Sequence, residues 1–527
     1  MLVLGGGPAG VWAALAAARA GARVALFDKA RCGASGPTAK NSVSLWNIPP
    51  GPAREEAVAR GLADGGHLGD PEWMARVLAE TYRRVDQLAR WGYRFGGERA
   101  GLCQPSPAAG PAWLRSAAAS GPDAAGRPAR ICVDGAHYLT RMRRCLVLAG
   151  VRVFDYHPAL QLLADAEGVV CGASGVQVRN GFRAWSARAD AVVLATGGCA
   201  FYSGGAGTDV ATGDGLLMAV EAGGELSGME FSSAYSLVPV CAAPSAAGVR
   251  MPGSIPAPEL SQHFTTLCDE SGAVLGGAGF GSRAAAFEAL ADGRRVYASW
   301  HAERVPLRAV LEGTVRGTGG VRLIGFDCAT TVPGLFGAGD VTGREPITGA
   351  AGGFGGQGGA WAMSSGVWAG AGAARFARGR GLRGPAWPVP GAGLHTASGI
   401  DPRAVIGLVQ EHTLPLRRSY WRSAGSLRDS IAELDALWPA TAFALGGSGP
   451  DRVRAREAAA LLAVARWTKY SALARTESRG MHRRTDHPVA VERWCTRLLA
   501  GGLDTVWVRE DQCALSCTPQ GSDLASA

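Results

Sequence analysis

Residues 2–29, LVLGGGPAGVWAALAAARAGARVALFDK, decide how the rest of the chain is read. Met1 to Leu4 is short and apolar, the pattern of a buried strand. Gly5, Gly7 and Gly10 follow with Gly-x-Gly-x-x-Gly spacing and turn the chain into a helix expected to run to about Ala20. Gly21 ends it, and Arg23–Phe27 forms a second strand closed by Asp28. In this spacing the glycines supply a tight turn, a close backbone approach to a pyrophosphate, and close helix–strand packing. The helix start offers N–H groups and partial positive charge to the phosphates. Asp28, eighteen residues past Gly10, stands where a carboxylate accepts ribose hydroxyls. Strand, glycines, helix, strand and acid together make a dinucleotide site rather than an ordinary glycine turn. Its candidate residues are Gly5, Gly7, Pro8, Ala9, Gly10, Asp28 and Lys29.

At 527 residues, two or three domains are expected. Charged residues are 18% and apolar ones 47%, the balance of a globular chain and not a disordered one. The net charge of +9 comes from scattered arginines with no basic block and interleaved aromatics, which argues against a nucleic-acid surface. No window approaches 18 uncharged apolar residues, so no membrane span is expected. Met1 falls inside the first strand, so no leader is expected, and the expected compartment is the cytoplasm. Of twelve cysteines only Cys513 and Cys517 are close, a spacing that fits neither an iron–sulfur run nor a zinc site. Reduced thiols and no metal site are expected.

After Asp28 the Gly/Ser/Thr/Pro-rich stretch from Cys32 to Pro52 is expected to be a loop folding back over the cofactor. Glu55–Trp91 reads as helical, with Trp73, Val77, Tyr82, Val85 and Leu88 as its apolar stripe. A Pro/Gly/Ala-rich excursion (96–130), a helix (137–149) and a strand (151–156) follow. Segments 160–165, 169–178 and 182–187 alternate like an antiparallel ribbon with Glu167-Gly168 and Asn180-Gly181 turns. The buried strand Ala191–Leu194 runs into Thr196 and Gly197. Gly213 turns the chain into a helix over 215–222, and a strand leads towards Phe231. Residues 236–316 change character, with an amphipathic piece at 282–291, and read as an inserted domain. Strands near 321–327 and 335–338 deliver Gly339 and Asp340, and the glycine run 349–359 opens an apolar helix over 360–376. A Gly/Pro linker leads to a helical remainder whose expected core includes Trp438, Leu461, Leu462 and Trp467, and the tail is expected to fray.

Five segments in order, LVLGGGPAG…FDK, ADAVVLATGGCAF (189–201), TGDGLLMAVEAGGELSGMEF (212–231), VPGLFGAGDVTG (332–343) and ARTESRGMHRRTDHP (474–488), resemble the flavoprotein subunits of succinate dehydrogenase and fumarate reductase and their relative L-aspartate oxidase. The resemblance covers most of residues 1–235 and 317–375 and a patch near 470–488. It implies an α/β chain: a Rossmann-like FAD-binding domain (1–235 and 317–380) interrupted by an α+β capping domain (236–316). A linker (381–399), a helical C-terminal domain (400–505) and a tail (506–527) complete it. It adds Thr38, Ala39, Lys40, Asn41, Thr196, Gly197, Asp214, Gly339, Asp340, Gly355 and Gly356 to the cofactor candidates. Asp340 would accept from ribityl or ribose hydroxyls. In the family, the bare N–H groups at the late glycine helix face the flavin's pyrimidine carbonyl, which stabilises the reduced ring. For Asp214 a helix-capping role is the alternative.

The chain also departs from that family. Pro37 stands where respiratory members carry the histidine that binds FAD covalently, so non-covalent FAD is expected. The family's histidine after MEF is replaced by the run to Tyr235, and its second histidine by Arg316-Gly317-Thr318-Gly319-Gly320. The cap's catalytic arginine and the arginine before the final glycine run have no recognised counterpart. The dicarboxylate substrates of the family therefore do not carry over. The catalytic candidates are Tyr235, Arg316 and Arg344. Lys40, Asn41 and Trp46 are further residues expected near the flavin, and Arg479 and His482 have a supporting role. A buried tyrosine with one hydrogen bond and an exposed cap arginine are the rival readings of Tyr235 and Arg316. The expected function is an FAD-dependent oxidoreductase that dehydrogenates or reduces a small metabolite. One alternative is a flavin subunit passing electrons to a separate iron–sulfur or ferredoxin-like partner, of the adenylylsulfate-reductase or fumarate-reductase type. Another is a non-catalytic or RNA-associated flavin-binding protein. Homo-oligomerisation is left open.

Overall fold

The computed structural model describes residues 1–95, 129–240, 266–277, 283–300, 303–352, 356–381, 383–397 and 399–512. At its centre Leu2–Leu4 lies in an all-parallel five-stranded sheet, in the order 335–337, 192–194, 2–4, 25–27, 152–154. All three residues of the first strand are buried, as a strand flanked by parallel neighbours requires. The turn into the helix Pro8–Arg19 depends on two glycines. A Cβ on Gly5 would lie 2.1 Å from the Ala195 carbonyl oxygen, and one on Gly10 would lie 1.9 Å from that of Gly5. The helix Gln357–Arg380 crosses the first helix at close range because Gly366 and Gly370 sit directly on the Ala9 and Ala13 carbonyls.

The stretch after Asp28 is not a plain loop. It forms a short helix, Gly36–Lys40, and a strand, Ser42–Trp46, paired antiparallel with Arg130–Asp134. The long helical reading also divides. Pro52–Asp64 and Pro71–Arg90 are separated by Gly66 and His67, both at positive φ. Asp70 caps the second helix by accepting from the Glu72 and Trp73 N–H groups, and Pro71 follows at its first position.

The ribbon of Ala159–Ala164, Val170–Gln177 and Arg183–Arg188 forms as expected, but the linker supplies a fourth strand, Trp387–Pro388. Of the strand expected over 321–327, only Gly320–Val321 is in a sheet, because the chain then turns so that Leu323 meets Thr330. The inserted segment builds a second five-stranded sheet, in the order 234–239, 303–312, 296–300, 266–269, 274–277, carrying the helix Ala284–Ala291. Helices Pro402–Thr413, Ala424–Ala444 and Pro450–Ala474 form the C-terminal part. Beyond Arg475 the described residues of that part hold a single helical turn, Glu492–Trp494. The hairpin Leu498–Gly501 with Trp507–Glu510 pairs onto Leu226–Ser227, so the stretch expected to be a tail begins with a strand. Residues after Cys513 and most of the excursion 96–130 lie outside the described residues.

Seven described cysteines are free, but Cys132 is disulfide-bonded, against the expectation of thiols throughout. Among the described residues no helix is long and apolar enough to cross a membrane, and no cluster of three or more His, Cys, Asp or Glu is arranged to hold a metal.

Candidate flavin site

A cavity of about 520 Å³ runs from the first glycine turn to the start of the helix Gln357–Arg380. Its size lies in the ordinary range for cofactor pockets. Two helix N-termini face it, and neither is capped by a side chain: Pro8–Arg19 begins at Gly7, and Gln357–Arg380 begins at Gly356 with φ +100°. Uncapped N-terminal N–H groups must find partners, and an anion or a carbonyl oxygen suits them. A Cβ on Gly7 would meet nothing within 4 Å, so this glycine leaves open space over the helix start, on the cavity lining. Three buried side-chain atoms on the lining, Asn41 Oδ1, Thr196 Oγ1 and Gln357 Oε1, have no hydrogen-bond partner. Buried polar groups without partners are costly, and a polar ligand along the cavity would satisfy them. The residues present therefore fit a dinucleotide cofactor.

Most sequence candidates are brought together here. Gly5, Gly7, Pro8, Ala9, Asp28, Lys29, Thr38, Asn41, Thr196, Gly197, Asp214, Gly339, Asp340 and Gly356 all line the cavity, as do Trp46, Arg316 and Arg344. Gly10, Ala39 and Lys40 do not. Gly10 packs against the Gly5 backbone, Ala39 is buried, and Lys40 is on the surface. Gly355 lies outside the described residues.

Asp28 already accepts from the Gly6 N–H at 2.5 Å and the Ala30 N–H at 2.7 Å, and burial raises its carboxyl above the usual range. Its first task is thus to brace the glycine turn. Lys29 donates to Asp214 at 2.8 Å and pairs with Glu457 at 2.5 Å. Burial alone would lower its pKa, but the two carboxylates outweigh burial and keep it charged. Asp214 is the first residue of its helix, with Gly213 at the N-cap, so the capping role does not apply.

Tyr235 does not reach the cavity. It is 4% exposed, and its hydroxyl donates to the Leu414 carbonyl at 2.8 Å, between the rings of Phe287 and Tyr420. That geometry removes it from the catalytic candidates. Arg344 is fixed rather than available. It donates to Asp340 at 2.7 Å and to the carbonyls of Thr314, Val315 and Gly317, clamping the short helix Gly313–Arg316 and the residue after it to the Asp340 turn. Arg316 pairs with Glu312. Arg479 and His482 are structural. Arg479 ties Glu477 to the Gly66 carbonyl, while His482 Nδ1 accepts from Arg422 at 2.7 Å and Nε2 donates to the Arg475 carbonyl. Burial, reinforced by Arg422, holds that imidazole well below its usual pKa.

Sequence reasoning missed Arg283 and Arg483. Arg283 stands at the N-cap of Ala284–Ala291 and faces the cavity from the cap, where no arginine was recognised. Its signal is an arginine directly ahead of the apolar run AAAFEALA. Arg483 belongs to a stretch read only as part of the helical remainder, and nothing local marks its direction.

Next to Arg344, Glu345 is fully buried. Ser227 donates to its Oε2, and Oε1 has no partner. Burial first, and the charge of Glu230 second, push its carboxyl up to about 8. The folded chain thus keeps a proton that the unfolded chain releases near pH 4.5, so stability should fall as pH rises from about 4.5 to about 8, by at most about 1.4 kcal/mol per unit. Glu345→Gln should flatten melting temperature against pH across that window. A slope equal to that of the parent would discard this account.

The FAD binding domain family matches residues 1–304, and the fumarate reductase flavoprotein C-terminal family matches residues 422–515. A fumarate reductase flavoprotein subunit of Mycobacterium tuberculosis is 29% identical over 235 residues, 44% of this chain and 38% of that protein. An L-aspartate oxidase of Streptomyces coelicolor is 30% identical over 236 residues, 44% of this chain and 39% of that protein. The matched stretch thus spans less than half the length of these relatives. In fold, 97% of the chain superposes on 95% of Escherichia coli quinol fumarate reductase FrdA, with TM-score 0.77 and 20% identity. It also superposes on 94% of an adenylylsulfate reductase chain of Archaeoglobus fulgidus, with 97% of this chain covered, TM-score 0.70 and 16% identity.

Proposed function

This chain belongs to the family of FAD-binding flavoproteins related to fumarate reductase subunits and L-aspartate oxidase, and from that membership we propose that it is an FAD-dependent oxidoreductase acting on a small metabolite in the cytoplasm. The observation that carries the reading is the single cavity joining the uncapped helix starts at Gly7 and Gly356 through the unpartnered polar atoms of Asn41, Thr196 and Gln357. When bound, FAD supplies the hydride chemistry, taking up or giving a hydride at its reactive ring nitrogen. The protein's own contribution is placement. The first helix start would hold the diphosphate, and Asp28, with Asp340, would accept from sugar and ribityl hydroxyls. The second helix start would present its N–H groups to the flavin's pyrimidine end. Arg344 locks the short helix Gly313–Arg316 against this floor, and the inserted segment would limit water access to a bound flavin.

The RNA-associated reading is the weaker one, because Arg130, Arg283, Arg316, Arg344 and Arg483 face the cavity instead of forming an outer stripe. For a relay to an iron–sulfur centre, the partner would be a second polypeptide, since no metal-ligand cluster occurs among the described residues.

FAD is proposed to be non-covalent. Pro37 and Thr38 line the cavity where a histidine would be needed, and its described lining holds no histidine, cysteine or tyrosine. Acid precipitation of the purified protein should leave a white pellet and release FAD to the supernatant. Colour remaining on the pellet would overturn the non-covalent assignment, and a protein that neither carries nor takes up FAD would overturn the function.

A further inference from the structure

Six basic side chains (Lys29, Arg130, Arg283, Arg316, Arg344, Arg483) and four acidic ones (Asp28, Asp64, Asp214, Asp340) line the cavity. Lys29 is neutralised by Asp214 and Glu457, Arg344 by Asp340, and Arg316 by Glu312. Arg483 makes no ion pair with any described residue. Its contacts are a long hydrogen bond to the Met481 carbonyl at 3.5 Å and the face of the Tyr420 ring, 4.2 Å from the guanidinium carbon. A guanidinium does not shed its proton at neutral pH, so this half-buried charge stays and calls for an anion.

Its position is held from several sides. Met481 N–H donates to the Ala350 carbonyl at 3.0 Å, and the Ser233 hydroxyl donates to the Met481 carbonyl at 2.7 Å. Gly352 lies against both the Met481 side chain and the Arg316 carbonyl. The Arg483 loop is thereby packed beside Arg316 and just ahead of the glycine-fed helix. Arg283 enters from the cap, and both Arg283 and Arg483 act electrostatically on the Tyr420 hydroxyl. Three guanidiniums, from the start of the cap helix, the short helix Gly313–Arg316 and the C-terminal part, thus lie together on the cavity lining. The diphosphate-binding turn at Gly5–Ala9 comes from a separate part of the lining.

We propose that Arg483, seated on Tyr420 and facing Arg283 and Arg316, holds an oxyanion group of the substrate, a carboxylate or a tetrahedral oxyanion such as sulfate or phosphate. The planar fork takes such a group with two parallel hydrogen bonds. Because the three arginines sit on three different parts of the chain, a bound anion also reinforces the packing of the cap on the C-terminal part. This inference rests on the proposed flavin reading, since it places the anion next to the flavin end of the cavity.

The test is calorimetric titration of flavin-loaded protein with malonate, sulfate and inorganic phosphate at low ionic strength, with flavin content read from the absorbance of the same samples. At least one of the three should bind. Arg483→Gln should weaken it about tenfold to a hundredfold without changing flavin content, and Arg483→Lys should weaken it less. Equal binding by Arg483→Gln, or no binding of any of the three at about 50 mM to the parent protein, would overturn the proposal. Binding that depends on Arg483 in a protein that carries no FAD would sustain the anion site and overturn the flavin reading instead.

Discussion

Replacing Gly7 with leucine should give a folded protein that has lost its FAD. At this position φ is −73°, which any residue adopts, and a Cβ would meet no atom within 4 Å. The substitution therefore costs the fold little. The added side chain instead fills the space over the uncapped helix start, where a diphosphate would accept two or three N–H groups. Charge-assisted hydrogen bonds of this kind contribute about 1.5–3 kcal/mol each, so their loss should weaken FAD binding by about a hundredfold or more. Gly10→Ala is the contrasting variant. Its Cβ would lie 1.9 Å from the Gly5 carbonyl oxygen, so the turn itself must move and the fold should suffer. Far-UV circular dichroism with flavin absorbance separates the two outcomes: native spectrum without yellow colour for Gly7→Leu, lowered melting temperature for Gly10→Ala. A yellow Gly7→Leu protein with parental flavin content would remove the first helix from the phosphate site.

The contrast between these glycines also shows what a sequence can disclose. Spacing alone marked Gly5, Gly7 and Gly10 as one motif, because turn, approach and packing each require a missing side chain. It could not say which glycine does which, since that depends on Ala195 and on open space brought in by the fold. The same limit governs the cavity. Strand-end residues such as Thr196 and Asp340 were legible, because a buried strand fixes where its C-terminal neighbour points. Tyr235 was misplaced because its strand belongs to the cap sheet and turns the ring towards Leu414. Arg283 and Arg483 escaped notice for the same physical reason. Their direction is set by long-range packing, by a helix carried on the cap sheet in one case and by a loop strapped to Ala350 in the other. The break at Gly66 and His67 is marked locally by Gly65-Gly66, Gly69 and the Asp70-Pro71 start signal, which the apolar stripe across 55–91 outweighed, whereas the late hairpin lies in a stretch of neutral local preference. Tertiary pairing onto Leu226–Ser227 decided the hairpin.

Arg475→Met should be the most destabilising exchange in the C-terminal part, by about 3–5 kcal/mol. Arg475 follows the helix Pro450–Ala474 and is completely buried. Its guanidinium donates to Glu230 at 2.9 Å, to Glu477 at 2.9 Å, and to the carbonyls of Trp494 and Thr496 at 2.8 and 2.7 Å. Glu477 would keep Arg479, which donates to both of its oxygens. Glu230 would not be so protected. Its other oxygen already lacks a partner, and burial raises its carboxyl above the usual range even with Arg475 in place. Most of the cost of Arg475→Met should therefore come from one stranded carboxylate. Adding Glu230→Gln should then recover more than half of the lost urea midpoint, whereas adding Glu477→Gln should recover little. Equal recovery by the two second-site changes would show that the carbonyl contacts, not the buried charge, carry the stability. The consequence reaches the cavity, because the loop that Arg475 braces continues through Gly480 and Met481 to Arg483. A protein weakened here should bind anions less tightly at temperatures where its flavin is still fully held.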